Sequence, residues 1–174
     1  MISVLCVMPK SNYYQIPGLD LWDVSRDAYF YFGSNPVITH APCQQWSRMK
    51  GFANYNKDEK ELAFHCLKYV LRNGGIFEHP HGSSFFKEAG ITKNIYSVDQ
   101  SCYGFPARKR TWLLFHGIKP LPFALPFALP LVKYVLNNSK TKRFKSPEMK
   151  KSERSLMTLQ FCQFLVDCVK QIDN

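Results

Sequence analysis

The chain opens on an unbroken apolar run, residues 2–8, rich in β-branched members and stopped by Pro9, which predicts a buried strand. A loop closed by Pro17-Gly18 follows, then Leu19-Asp20-Leu21-Trp22-Asp23, a short strand with acidic residues at its end. The pattern predicts a short helix over residues 26–32, ended by the turn cluster Gly33-Ser34-Asn35-Pro36. Val37-Ile38-Thr39 reads as a third strand running into the loop His40-Ala41-Pro42-Cys43. Over residues 57–72 the apolar positions Leu62, Cys66, Tyr69 and Val70 recur at helical spacing. Asp58 and Glu59 lie in the first turn, Lys68 and Arg72 near the last, and Asn73-Gly74-Gly75 terminates it. Ile76-Phe77-Glu78 is a fourth strand ending in His79-Pro80-His81-Gly82, and residues 83–89 fit a short helix. Residues 96–99 and 112–116 complete the strands.

Strands alternating with helical segments predict one α/β domain over residues 1–174, a Rossmann-like, mostly parallel sheet with helices on both faces. Ligands bind such sheets beyond the C-terminal strand ends, where the Pro42-Cys43 and Glu78-His79-Pro80 loops fall. Residues 117–151 form an irregular basic connection. Its first part carries a tandem Pro-Phe-Ala-Leu over residues 120–130, whose prolines exclude a regular helix. Its second part is the densest positive stretch, with Lys142 and Arg143 at its centre as candidate phosphate contacts. A closing helix is expected over residues 152–172, with Cys162 and Cys168 on its apolar face.

The formal net charge of +10 attracts polyanions, with nucleic acid the first candidate, an anionic membrane surface the second, and a merely solubilising surface the bland alternative. Aromatic residues reach 15%, which suits either a large core or platforms for bases. None of the six cysteines forms a Cys-x-x-Cys pair, which disfavours zinc by spacing. The N-terminal apolar run lacks a basic flank, and no run is long enough to span a membrane. The expectation is a cytoplasmic protein with free thiols and no membrane partner.

Three clusters carry candidate chemistry. Ala41-Pro42-Cys43-Gln44-Gln45-Trp46-Ser47 places a cysteine in a proline-containing loop at a strand end, where a cleft can activate it. Gly74-Gly75-Ile76-Phe77-Glu78-His79-Pro80 places a carboxyl at the next strand end, able to bond the polar edge of a base or give it a proton. The third runs from Asp99 to Arg110 through Tyr103-Gly104-Phe105-Pro106-Ala107. Its Arg108 and Arg110, one residue apart, project to one face and can hold a carbonyl or a phosphate. Each alone is as readily a buried thiol, a surface carboxylate and a basic turn.

In this order the clusters resemble the cytosine-5 DNA methyltransferase family. Pro42-Cys43-Gln44-Gln45-Trp46-Ser47 fits its Pro-Cys-Gln-x-x-Ser motif in full. Glu78-His79-Pro80 is similar to its Glu-Asn-Val or Glu-Asn-Pro strand end, with His for Asn. Tyr103-Gly104-Phe105-Pro106 followed by Arg108-Lys109-Arg110 resembles Tyr-Gly-x-Pro-Gln-x-Arg-x-Arg, read one residue shorter. The resemblance spans about residues 36–116 plus the terminal helix. It implies methyl transfer to cytosine at ring position 5 through a Cys43 adduct at position 6. Glu78 would then hold the nitrogen and amino edge, and Arg110 with Arg108 the 2-carbonyl. Pro42, Gln44, Ser47 and His79 would line the substrate site, with DNA or a cytosine nucleotide as partner and S-adenosylmethionine as cofactor. A base in a duplex would be flipped out.

Two features depart from the family. Its Phe-x-Gly-x-Gly cofactor turn has no counterpart, since Met8 to Tyr14 holds no glycine. Asp20 and Asp23 remain as candidates for the cofactor ribose or amino group. The recognition region before the last helix is short as well, which disfavours sequence-specific reading of DNA and suggests a compact phage or mobile-element type of enzyme. Different chemistry at the same carbon without that cofactor, or a non-catalytic DNA-binding descendant, are the alternatives. His40, His79 and His81 flank the two loops in no standard metal spacing, and no metal is expected.

Overall fold

The computed structural model describes residues 1–47, 51, 55–124, 132–136 and 147–173. Its strands are β1 (Ile2–Val7), β2 (Leu19–Asp23), β3 (Val37–Thr39), β4 (Gly75–Pro80), β5 (Ile95–Asp99) and β6 (Arg110–His116). They form one sheet in the order β2-β1-β3-β4-β6-β5. β2, β1, β3 and β4 are parallel neighbours, and β6 runs antiparallel to both β4 and β5. The fold is thus α/β with a mixed sheet in which β6 alone is reversed. The chain leaves β1 for β2 on one side and returns to β3 on the other. That reversal opens a crevice beyond the C-terminal ends of β1 and β3.

The period-two alternation of the strands feeds two cores. Ile2, Val4, Ile38, Ile76, Leu113 and Phe115 face α3 (Leu159–Val169), which buries Phe161, Cys162, Leu165, Val166, Cys168 and Val169 against them. Leu5, Val37, Phe77 and Leu114 face α1 (Lys57–Asn73), which contributes Ala63, Cys66, Leu67, Tyr69 and Val70. Helices therefore cover both faces, and each fully buried large side chain contributes about 1.5–3 kcal/mol. The short α2 (Phe85–Glu88) adds Phe85 and Phe86 to the α1 side.

α1 begins and ends as the sequence implies. Asn56 caps it through its side chain, and Gly74 closes it at φ 79°. Two helical expectations are corrected. Residues 26–32 hold only a 3-10 turn at Ala28–Phe30, because Ala28 and Tyr31 are buried while Tyr29, Phe30 and Phe32 point outward, leaving no continuous apolar face. The terminal helix starts at Leu159 rather than near Ser152, capped by Thr158, whose Oγ1 accepts from Phe161 N. The preceding backbone is engaged elsewhere: Leu156 O accepts from Lys109 Nζ at 2.9 Å and Met157 O from Asn12 Nδ2 at 2.7 Å.

The Pro-Phe-Ala-Leu run is described only to residue 124. Ile118, Leu121 and Phe123 pack beside the α3 core, and the rest of the run lies outside the described residues. Lys142 and Arg143 also lie outside them. Among the described residues no helix is long and apolar enough to cross a membrane.

Candidate active site

β3 delivers the chain to the crevice, and the next residues are fastened from behind. His40 N donates to Leu5 O at 3.2 Å, continuing the pairing with β1. Cys43 O then accepts from Trp46 N at 3.1 Å and Ser47 N at 3.0 Å, which folds residues 43–47 into a tight turn. Trp46 is the anchor of that turn. It is fully buried against Phe85 and His79, its Nε1 donates to Glu88 Oε2 at 2.7 Å, and its carbonyl accepts from Ser84 N at 2.9 Å.

Cys43 opens into a cleft of about 300 Å³, at the lower end of ordinary ligand-site sizes. Besides Cys43, the cleft is lined by Pro42, Gln44, His40, Glu78 and Lys109, with the β1 end and residues 154–157 as its other walls. Glu78 comes from β4 and is nearly buried. Its Oε2 accepts from His40 Nδ1 at 3.3 Å, and its Oε1 accepts from the Thr111 hydroxyl. On its other side His40 Nε2 lies 3.0 Å from the Tyr13 hydroxyl. A buried chain thus runs Tyr13–His40–Glu78–Thr111.

Burial alone would raise the Glu78 pKa. The His40 hydrogen bond and charge, the Lys109 ammonium and the Thr111 hydroxyl outweigh it and hold the carboxyl at about 2. Burial and the Glu78 charge push the Cys43 thiol up to about 11, against the opposing pull of Lys109. Burial also lowers Lys109, while Glu78 and Cys43 favour its charged form. Its Nζ lies 4.9 Å from the Phe105 ring centre. Cys43 is therefore a protonated thiol at neutral pH, beside an anion and a cation. Alkylation by iodoacetamide, read by peptide mass spectrometry, is expected to be roughly a hundredfold slower at pH 7 than for a free cysteine. The rate should climb about tenfold per pH unit to pH 10. A plateau near pH 9 would mean an ordinary thiol.

The structure brings Pro42, Cys43, Gln44 and Glu78 together, and it does not bring Arg108 or Arg110 to them. Along residues 107–111 the inward positions are Ala107, Lys109 and Thr111. The two arginines do share one face, but it is the opposite one. Arg108 pairs with Asp99 at 3.0 Å and Arg110 is exposed. His79 is wholly buried behind the loop rather than lining the cleft. Its Nε2–H donates to Pro42 O at 3.4 Å, and its Nδ1 accepts from the Ser83 hydroxyl at 2.7 Å. Burial lowers its pKa, in keeping with a neutral ring that positions the Pro42-Cys43 backbone. Ser47 also lies outside the lining, its hydroxyl 3.5 Å from Gln44 O. Lys109, His40 and Tyr13 were not among the residues selected from sequence. For Lys109 the available signal was the buried–exposed alternation itself.

The residues expected to hold S-adenosylmethionine do not fit it. The cleft wall at the β1 end is made of Cys6, Val7, Met8 and Ser11, with no glycine to let a cofactor approach the backbone, and Cys6 itself sits at φ 59°. Asp20 already accepts from Ser3, Trp22 and Arg26 at 2.8, 2.8 and 2.6 Å. Asp23 accepts from Tyr14 and Ser25, which hold its pKa at about 2. The Arg26 guanidinium lies 4.0 Å from the Trp22 ring centre, covering the one aromatic face on β2. Neither carboxylate lines the cleft. Among the described residues no group of three His, Cys, Asp or Glu side chains stands in metal-binding geometry. No protein-family model matches the chain, and no curated protein matches it, so the reading of the site rests on its own geometry.

Proposed function

We propose that this protein acts on cytosine, and that it activates the ring through a covalent bond from Cys43. The observation that carries the reading is the meeting of a thiol, an ionised carboxylate and an ammonium in one base-sized cleft at the strand ends. The Cys43 sulfur forms a bond to ring carbon 6. The electron pair of the 5,6 double bond moves towards carbon 5 and the ring nitrogen 3. The thiol proton passes to Glu78 and from there to nitrogen 3, where negative charge develops. The carboxylate then accepts from the protonated nitrogen 3 and the 4-amino group together. Lys109 lowers the cost of the thiolate and holds the 2-carbonyl oxygen.

The methyltransferase-like reading of the fold gains support from the sheet order and from the third motif. Counted without a gap, its two arginine positions fall on Lys109 and Thr111, the two inward polar residues. A lysine at the first retains the cation. Because S-adenosylmethionine does not fit, the proposal stops at the activated ring. Carbon 5 takes a proton from water, gives up its original hydrogen, and elimination of Cys43 restores cytosine.

Release of tritium from [5-³H]cytosine tests this directly, on deoxycytidine monophosphate and on a cytosine-containing oligonucleotide as separate substrates. Wild-type protein is expected to release tritium to water, and Cys43→Ala to fall to background. Equal release by the two proteins, or none by wild type on either substrate, overturns the proposal.

A further inference from the structure

The largest exposed aromatic side chains gather on one side of the molecule, away from both cores. Phe30, Phe32 and Tyr55 are 64%, 71% and 73% exposed. Tyr29 stacks on His65 of α1 at 5.1 Å, Phe30 lies edge-on to Tyr29 at 6.2 Å, and Phe32 meets His65 at 6.1 Å. Tyr29, Tyr55, Phe64, His65, Lys60 and Lys68 line a groove of about 510 Å³ along α1. Scattered exposed aromatics need no explanation, but a contiguous set marks a binding surface.

Charge narrows the occupant. Glu61 and Glu88 also line the groove but are paired with Lys57 and Lys60, while Lys68 forms no ion pair among the described residues, and the whole chain carries +10. Ring faces alternating with lysines on a basic protein match a polymer of stacked bases and phosphates. A duplex hides its base faces, and a single strand offers them. The groove also adjoins the active-site turn: Trp46, three residues after Cys43, meets Phe64 at 6.1 Å and lies under Lys60 at 5.4 Å.

We propose that the groove formed by Tyr29, Tyr55, Phe64 and the α1 lysines binds single-stranded nucleic acid, stacking its bases beside the Cys43 turn. Only the further step, that the strand presents a cytosine to Cys43, rests on the function proposed above. A strand without cytosine separates the two.

The test is fluorescence anisotropy with a labelled oligothymidylate, single-stranded and annealed to its complement. Sedimentation of the protein alone runs alongside. The single strand is expected to bind more tightly than the duplex. Tyr55→Ala and Tyr29→Ala, both exposed and both lining the groove, should each weaken binding by roughly tenfold. Lys68→Gln should flatten the salt dependence by about 0.7 in the slope of log K against log salt. The proposal is overturned by absent single-strand binding, by single strand and duplex binding equally with the aromatic variants unchanged, or by a dimer that Tyr55→Ala dissociates. The last would assign the surface to a second copy of the chain.

Discussion

Replacing Glu78 by glutamine is expected to slow tritium release by about 10²–10⁴-fold while making Cys43 easier to alkylate. The opposite signs follow from the geometry. Glutamine keeps the shape and can still accept from Thr111, but it can neither carry the thiol proton nor stabilise a protonated ring nitrogen. It also removes the negative charge that helps push the thiol to about 11, leaving Lys109 unopposed beside the sulfur. A variant that had merely lost its fold would expose every cysteine and would show altered thermal unfolding. Unchanged tritium release would remove Glu78 from the chemistry, and slower alkylation would contradict the charge arrangement. Wild-type stability should carry the same signature. Glu78 titrates near 2 when folded against an ordinary value of 4.5, so its contribution is complete above pH 4.5 and fades as pH falls towards 2. The shift corresponds to about 3 kcal/mol.

Gly75→Ala is expected to cost more than about 4 kcal/mol, a large share of the 5–15 kcal/mol that holds a typical domain. A Cβ at residue 75 would lie 1.9 Å from Val37 O, and the backbone there sits at φ 134°, which side-chain-bearing residues rarely adopt. The obstruction is main chain of β3 and cannot rotate away, so β3 and β4 would have to separate at the strand pair that sets Cys43 beside Glu78. Gly90→Ala is the control. Its φ is also positive, at 70°, but no atom lies within 4 Å of its Cβ, so only the local conformational strain, about 1–2 kcal/mol, applies. Thermal denaturation of the two variants should separate widely, and a Gly75→Ala protein melting within a few degrees of wild type would contradict the packing at this strand pair.

Much of the architecture was legible because its signals are local. The apolar run at residues 2–8, the helix over residues 57–72 and the loops after β3 and β4 are each encoded within one short continuous stretch. What escaped depends on partners far along the chain. Which alternate residues of 107–111 turn inward is fixed by the pairing of Pro80 with Thr111 and Glu78 with Leu113, and a sequence read alone has no such register. Arg108 and Arg110 drew attention by charge, whereas Lys109 between them occupies the site. Gly75 read as part of a helix stop, since nothing nearby announces the approach of Val37. The closing helix is expected from residue 152 because the ties from Lys109 and Asn12 that draw residues 156–157 towards the cleft are formed by distant residues.

Among the described residues β6 is the last strand in sequence, yet it lies between β4 and β5. A nascent chain that has emerged only to residue 100 already carries the nucleophile and its carboxylate, but lacks Lys109 and Thr111. Proteins are synthesised from the N-terminus, so the acidic half of the site precedes its counter-charge in time. β5 cannot settle on β4 first without closing the slot that β6 must enter. The two strands are therefore expected to pair with each other and dock together, so that maturation of the catalytic centre coincides with closure of the sheet.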